Sequence, residues 1–216
     1  MVLSANDPRS LRWEGGAGRV WDIGTSASWN GGGGAAEPYR QGDEVAFDDS
    51  ATATGVSIPA PVSPLGVAFA NRTARYMVTG SGIGGTGGLR MFGGGTTTLA
   101  NAANTYTGTT LVARGTLLLA GSGAVSGSRE ITVSSSGVLD ASGLAAGGLA
   151  LAHQTLTIDG CVAGDVAATG GSVVQLNPGG RMTGSIRAHA STIIAQGTVG
   201  GHLSARGGAV IQVGGT

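Results

Sequence analysis

The chain has 216 residues, 12 Arg, no Lys and 12 carboxylates; with a formal net charge of zero it offers no basic track for a nucleic acid. Gly reaches 43 residues, yet 41% of the chain is hydrophobic and only 11% charged, a balance that permits a core and argues against a disordered polymer. Cys161 is the only cysteine, which excludes an internal disulfide and a cysteine-based zinc site, and no run of 18 apolar residues crosses a membrane as a helix.

The opening "MVLSANDPRS" lacks the basic and apolar regions of a signal peptide. The chain is therefore expected to be cytosolic, or a fragment whose signal has been removed. Next comes "RWEGGAGRVWDIGTSASWNGG", which holds Trp13, Trp21 and Trp29 at intervals of eight, and eight of the twelve carboxylates lie before residue 50. Residues 1–92 are read as an N-terminal β capping segment with the first strands, closing a core that would otherwise be open at one end. Within it "GDEVAFDDSAT" supplies Asp43, Glu44, Asp48 and Asp49. Their spacing fits no calcium loop, and Asp and Gly at strand ends are ordinary turn residues.

"GSGIGG", Gly80 to Gly85, satisfies the G-x-G-x-x-G pattern after the strand-like "RYMVT". "TGGLRMFGGG" follows and makes no helix, and no acid occurs between Ala51 and Arg129 to hold a ribose. A glycine turn is the better reading than a dinucleotide site.

From residue 93 to 216 short β runs bounded by Gly recur, among them "TTTLA", "TLLLA", "EITV", "QTLTI", "SVVQL", "STIIA" and "AVIQV". The best helical window, Ser142–Gln154, holds three Gly in thirteen residues and is not expected to be a helix. With Gly164, Gly184 and Gly201 in register, columns of apolar residues align: Val162, Met182, Val199; then Val166, Ile186, Leu203; then Ala168, Ala188, Ala205. The pairs Val173–Val174, Ile193–Ile194 and Val210–Ile211 follow, and polar residues fill the columns between. Repeats of 20 and 17 residues cannot close a core alone, so they predict the coils of an all-β parallel β-solenoid. The same frame extends to Tyr106, Gly108, Thr110, Val112 and Leu117–Leu118, with Arg114 at a corner.

Asp165, Ser185 and His202 share one polar column. A hydrolytic triad needs His between the other two, and here Ser is central. Glu130, Asp140, Asp159 and Asp165 are too scattered for a paired-carboxylate glycan enzyme. His153, His189 and His202 read as surface residues.

"GTTTLANAANTYTGTTLVARGTLLLAGSGAVSG", Gly95 to Gly127, resembles the autotransporter-associated β-strand repeat, also called the passenger-associated transport repeat. "NTYTGTT" is intact at Asn104–Thr110, while Ala103 stands where the family pattern has Gly. "WDIGTSASWN", "GDEVAFDDSAT" and "GVLDASGL…LAHQTLTIDGCVAGDV" are similar to the flanking segments of such repeats. The resemblance implies a right-handed β-helix in the passenger region of an exported protein on a Gram-negative-type bacterial surface. A translocator barrel is expected elsewhere in the parent chain, and no cofactor, metal ligand or catalytic residue is carried over. Host or matrix glycans or proteins are the partners it suggests. A second reading is a carbohydrate-binding module using Trp13, Trp21 and Trp29, and a third is a β-helical polysaccharide lyase or hydrolase.

Overall fold

The computed structural model describes residues 7–16 and 18–214, and among these there are strands and turns but no helix. Strands such as Glu44–Phe47, Gly66–Phe69 and Gly88–Met91 alternate buried and open residues, as the period of two requires for a sheet with one wet face. Each lies parallel to the corresponding strand of the next coil. The result is a parallel β-solenoid of about eight turns with a short antiparallel segment at its start.

Two faces run the length of the stack. On the first, the inward column reads Val45, Val67, Leu89, Thr110, Ile131, Leu156, Val174 and Ile193. On the second it reads Tyr76, Thr97, Leu117, Leu139, Val162, Met182 and Val199. A third face becomes a true sheet only in the later coils, where Leu149–Ala152, Val166–Thr169, Ile186–His189 and Leu203–Arg206 pair in parallel. Burial of each large apolar side chain in these columns is worth about 1.5–3 kcal/mol, gained only because a neighbouring coil covers it.

The columns through Val166, Ile186 and Leu203, and through Ala168, Ala188 and Ala205, are in register as the repeats predict. The middle coil slips by one residue: Ile193 lies beside Val174 and Ile211, not beside Val173 and Val210. The corner Gly170–Gly171–Ser172 is one residue longer than Ala190–Ser191, and the shorter corner turns on Ala190 itself at φ 47°. The extension of that frame to the earlier segment is corrected. Aligning Gly108 with Gly164 would set Thr110 beside Val166, whereas Thr110 pairs with Leu89 and Ile131 on the first face. The early coils turn differently, without a strand on the third side.

Parallel stacking also begins before residue 93. The strands starting at Glu44, Gly66 and Gly88 recur every 22 residues, and antiparallel pairing among the described residues is confined to Ser10–Trp13, Ala27–Asn30 and Ala36–Pro38. Even Ser10–Trp13 joins the first face, with Leu11 beside Val45.

This antiparallel segment carries an aromatic plug. Trp13 and Trp21 each meet Trp29 edge-on, at 4.9 and 5.3 Å between ring centroids, and Phe47 stacks on Phe69 at 4.8 Å in the next coil. Arg9 fastens the segment: its Nη1 lies 2.7 Å from Glu37 Oε2, and its Nε and backbone amide both donate to Asp43 Oδ1. Burial alone would push the Asp43 carboxyl up, but hydrogen bonds from Arg9 and from the Arg40 amide hold it below the usual carboxylate range.

Candidate functional site

Polar side chains in a solenoid either face water or serve the stack, and most of the suggestive ones here serve the stack. In "NTYTGTT" the alternation is strict: Asn104, Tyr106 and Thr110 are buried, while Thr105, Thr107 and Thr109 are exposed. Asn104 Oδ1 accepts from the Ile83 amide at 3.0 Å and from Asn101 Nδ2 at 2.7 Å, and Asn104 Nδ2 donates to Ala124 O at 3.2 Å. It thereby ties three successive coils where no strand pairing is available. The Tyr106 and Thr110 hydroxyls lie 2.6 Å apart, and Thr110 Oγ1 reaches Ser128 Oγ at 3.0 Å, so the Thr in the apolar column is satisfied. Gly108 passes so close to the coil before it that a Cβ would stand 2.3 Å from Gly87 O.

The carboxylates of the acidic stretch are likewise engaged. Asp48 Oδ1 accepts from the Ser50 amide and hydroxyl. Asp49 receives the amides of Ala74, Arg72 and Thr73 from the next coil, which hold its carboxyl below the ordinary value. Among the described residues no three His, Cys, Asp or Glu gather to hold a metal. Glu44 is exposed on the first face.

Asp165, Ser185 and His202 do stand on consecutive coils. Asp165 Oδ1 accepts the Ser185 amide at 2.8 Å, and Ser185 Oγ accepts the His202 amide at 3.1 Å. The Ser185 amide and then Arg187, 2.7 Å from Asp165 Oδ2, lower the Asp165 pKa. Asp165 and Ser185 each cap a backbone amide of the next coil, and Ser185 engages the His202 amide, not its ring. "GSGIGG" is a corner, with Gly80 and Gly85 at φ 91° and 87°, and the strand Gly88–Met91 follows it.

The three Trp are placed in the core. Trp13, Trp21 and Trp29 are each 0% exposed, so none presents a ring face on which a sugar could stack. Trp13 Nε1 donates to Ala53 O at 2.8 Å, whereas the buried Nε1 of Trp21 and of Trp29 has no partner among the described residues. The aromatic that does face water is Phe92, with Arg72, Arg90 and Arg114 around it. One signal for this cluster is legible in the chain, the run from Ala51 to Arg129 with arginines and no acid.

Comparison with protein-family models, curated proteins and solved structures finds no match. The β-solenoid is shown by its own ladder.

Proposed function

We propose that the chain is a non-catalytic passenger segment of an exported, autotransporter-like cell-surface protein, where its coils form a stalk or display surface. The observation that carries this reading is the direction of the motif's side chains. Asn101, Asn104, Tyr106 and Thr110 turn inward and tie coil to coil instead of gathering at a cleft. Such a stack lengthens by about 4.8 Å per coil and keeps its outer faces free, which suits a spacer that holds a surface away from its anchor. Export and surface location rest on the resemblance of Gly95–Gly127 to the passenger-associated repeat.

The test is an epitope inserted in the exposed Ala145–Gly147 turn of the protein in the organism that encodes it. Antibody labelling of intact cells, removed by external protease, is the expected result. Labelling only after lysis would overturn the reading, and product release from a polysaccharide by the purified chain would overturn its non-catalytic part.

A further inference from the structure

The outer side of the first face carries a feature that the stack itself does not use. Phe92 is 52% exposed, just beyond the strand Gly88–Met91, and it separates two shallow troughs. One, of about 460 Å³, is bordered by Leu65 and Arg90, with Glu44 at its far end. The other, of about 450 Å³, is bordered by Arg72 and Arg114 and floored by Gly93 and Gly94.

Arg72, Arg90 and Arg114 belong to three successive coils. Arg90 lies beside Leu111 of the next coil, and the register shifts between Val112 and Arg114 at the following corner. None of these three guanidiniums is ion-paired to a described carboxylate. Asp49, the acid of the coil before Arg72, already accepts three backbone amides. Glu44 contributes the one negative charge among the residues lining the two troughs.

We propose that this surface binds an anionic polysaccharide, with one sugar ring laid on Phe92 and carboxylate or sulfate groups held by Arg72, Arg90 and Arg114. Guanidinium pairs with such oxyanions in a bidentate fork, and an exposed aromatic ring covers an apolar sugar face. Arg72 and Arg114 stand two coils apart, about 10 Å along the stack, with Gly93 and Gly94 between them and Arg90 on the other side of Phe92, a spacing that suits charges repeated along a chain of pyranose units. The floor favours this ligand over an acidic peptide. It is built of Gly66, Ala68, Gly87, Gly88 and Gly108, without pockets for side chains, and its strands are paired on both edges, so no peptide strand can be added. A nucleic acid would want a longer cationic track than three arginines beside Glu44.

The experiment is titration of the purified chain with oligogalacturonate, heparin fragments, neutral dextran, poly-glutamate and an oligothymidylate. Binding of oligogalacturonate, heparin fragments or both is expected, weakening as salt rises, with none to dextran; which of the two binds tells whether carboxylate or sulfate is preferred. Arg90→Gln and Phe92→Ser should each weaken it tenfold or more, Glu44→Gln should tighten it, and Arg187→Gln on the third face should leave it unchanged. Unfolding midpoints of these surface variants should match the parent, which separates lost binding from lost folding. The proposal is overturned by absence of binding to both anionic polysaccharides at millimolar concentration. Indifference to Arg90→Gln and Phe92→Ser, or equal binding of poly-glutamate or the oligothymidylate, would overturn it as well.

Discussion

Asn101 Nδ2 donates to Asn104 Oδ1 at 2.7 Å inside the corner of a coil, and the same oxygen accepts the Ile83 amide of the coil before. This pair replaces a strand ladder on the side of the early coils where no sheet forms. Asn104→Ala would strand the Ile83 amide and Asn101 in a buried site, at a cost of about 2–4 kcal/mol. Thr107→Ala, three residues away on the exposed side, should fall within about 0.5 kcal/mol of the parent. Urea unfolding of both variants decides the matter; equal effects would mean that the in-and-out alternation of the motif is misplaced.

Ile186 and Ser185 make a second contrast. Ile186 is fully buried between Val166 and Leu203, so Ile186→Asp places a charge without a partner in the core and should cost several kcal/mol, or about 3–5. Ser185→Asn keeps an oxygen for the His202 amide and should change stability by less than about 1 kcal/mol. Urea midpoints that move together would contradict the register of the third face.

The aromatic plug predicts an order among tryptophans. Trp13→Phe leaves the Ala53 carbonyl without its donor, whereas Trp21→Phe removes an indole N–H that had no partner. Both lose some packing, and Trp13→Phe should lose about 1 kcal/mol more. A larger loss at Trp21 would show that its N–H is engaged after all.

Acid should loosen the ties between coils. The folded pKa of Asp49 is held below its unfolded value by the amides of Ala74, Arg72 and Thr73. Its contribution is therefore complete above the unfolded aspartate value and is lost as pH falls through the folded one. In a series of urea midpoints taken downward from about pH 5, Asp49→Asn should show a shallower acid loss than the parent. Identical slopes would remove Asp49 from the inter-coil ties.

The sequence made the later coils legible because their inward columns repeat with little interruption. Val166, Ile186 and Leu203 announce themselves by position and by the polar residues on either side. Val45, Val67 and Leu89 repeat just as regularly at 22 residues, but the acidic residues and Trp of the first segment mask that period in the sequence. Thr110 was legible as part of a coil and not as a member of the first face, because a hydroxyl in an apolar column is intelligible only once Tyr106 and Ser128 are seen beside it. The Trp spacing of eight marks a capping segment and leaves sugar stacking open as a second reading, whereas burial against Phe47 and Tyr39 is a tertiary fact that no local pattern contains. Phe92 is illegible in the sequence for a related reason. A lone aromatic in a glycine-rich run carries no period, and its arginine neighbours come from other coils.

The parallel stack is tested most directly by distances along one outer column. Ala46, Ala68, Arg90, Leu111, Thr132, Thr157, Gln175, Ile194 and Gln212 are successive neighbours in that column. Spin labels on Ala46→Cys paired with Gln175→Cys, and on Ala46→Cys paired with Gln212→Cys, both in a Cys161→Ser background, would be read by pulsed electron–electron resonance. Six and eight coil steps predict separations of about 29 and 38 Å between the backbone positions, increasing in proportion to the number of coils. Separations that fail to increase from the first pair to the second would contradict the solenoid.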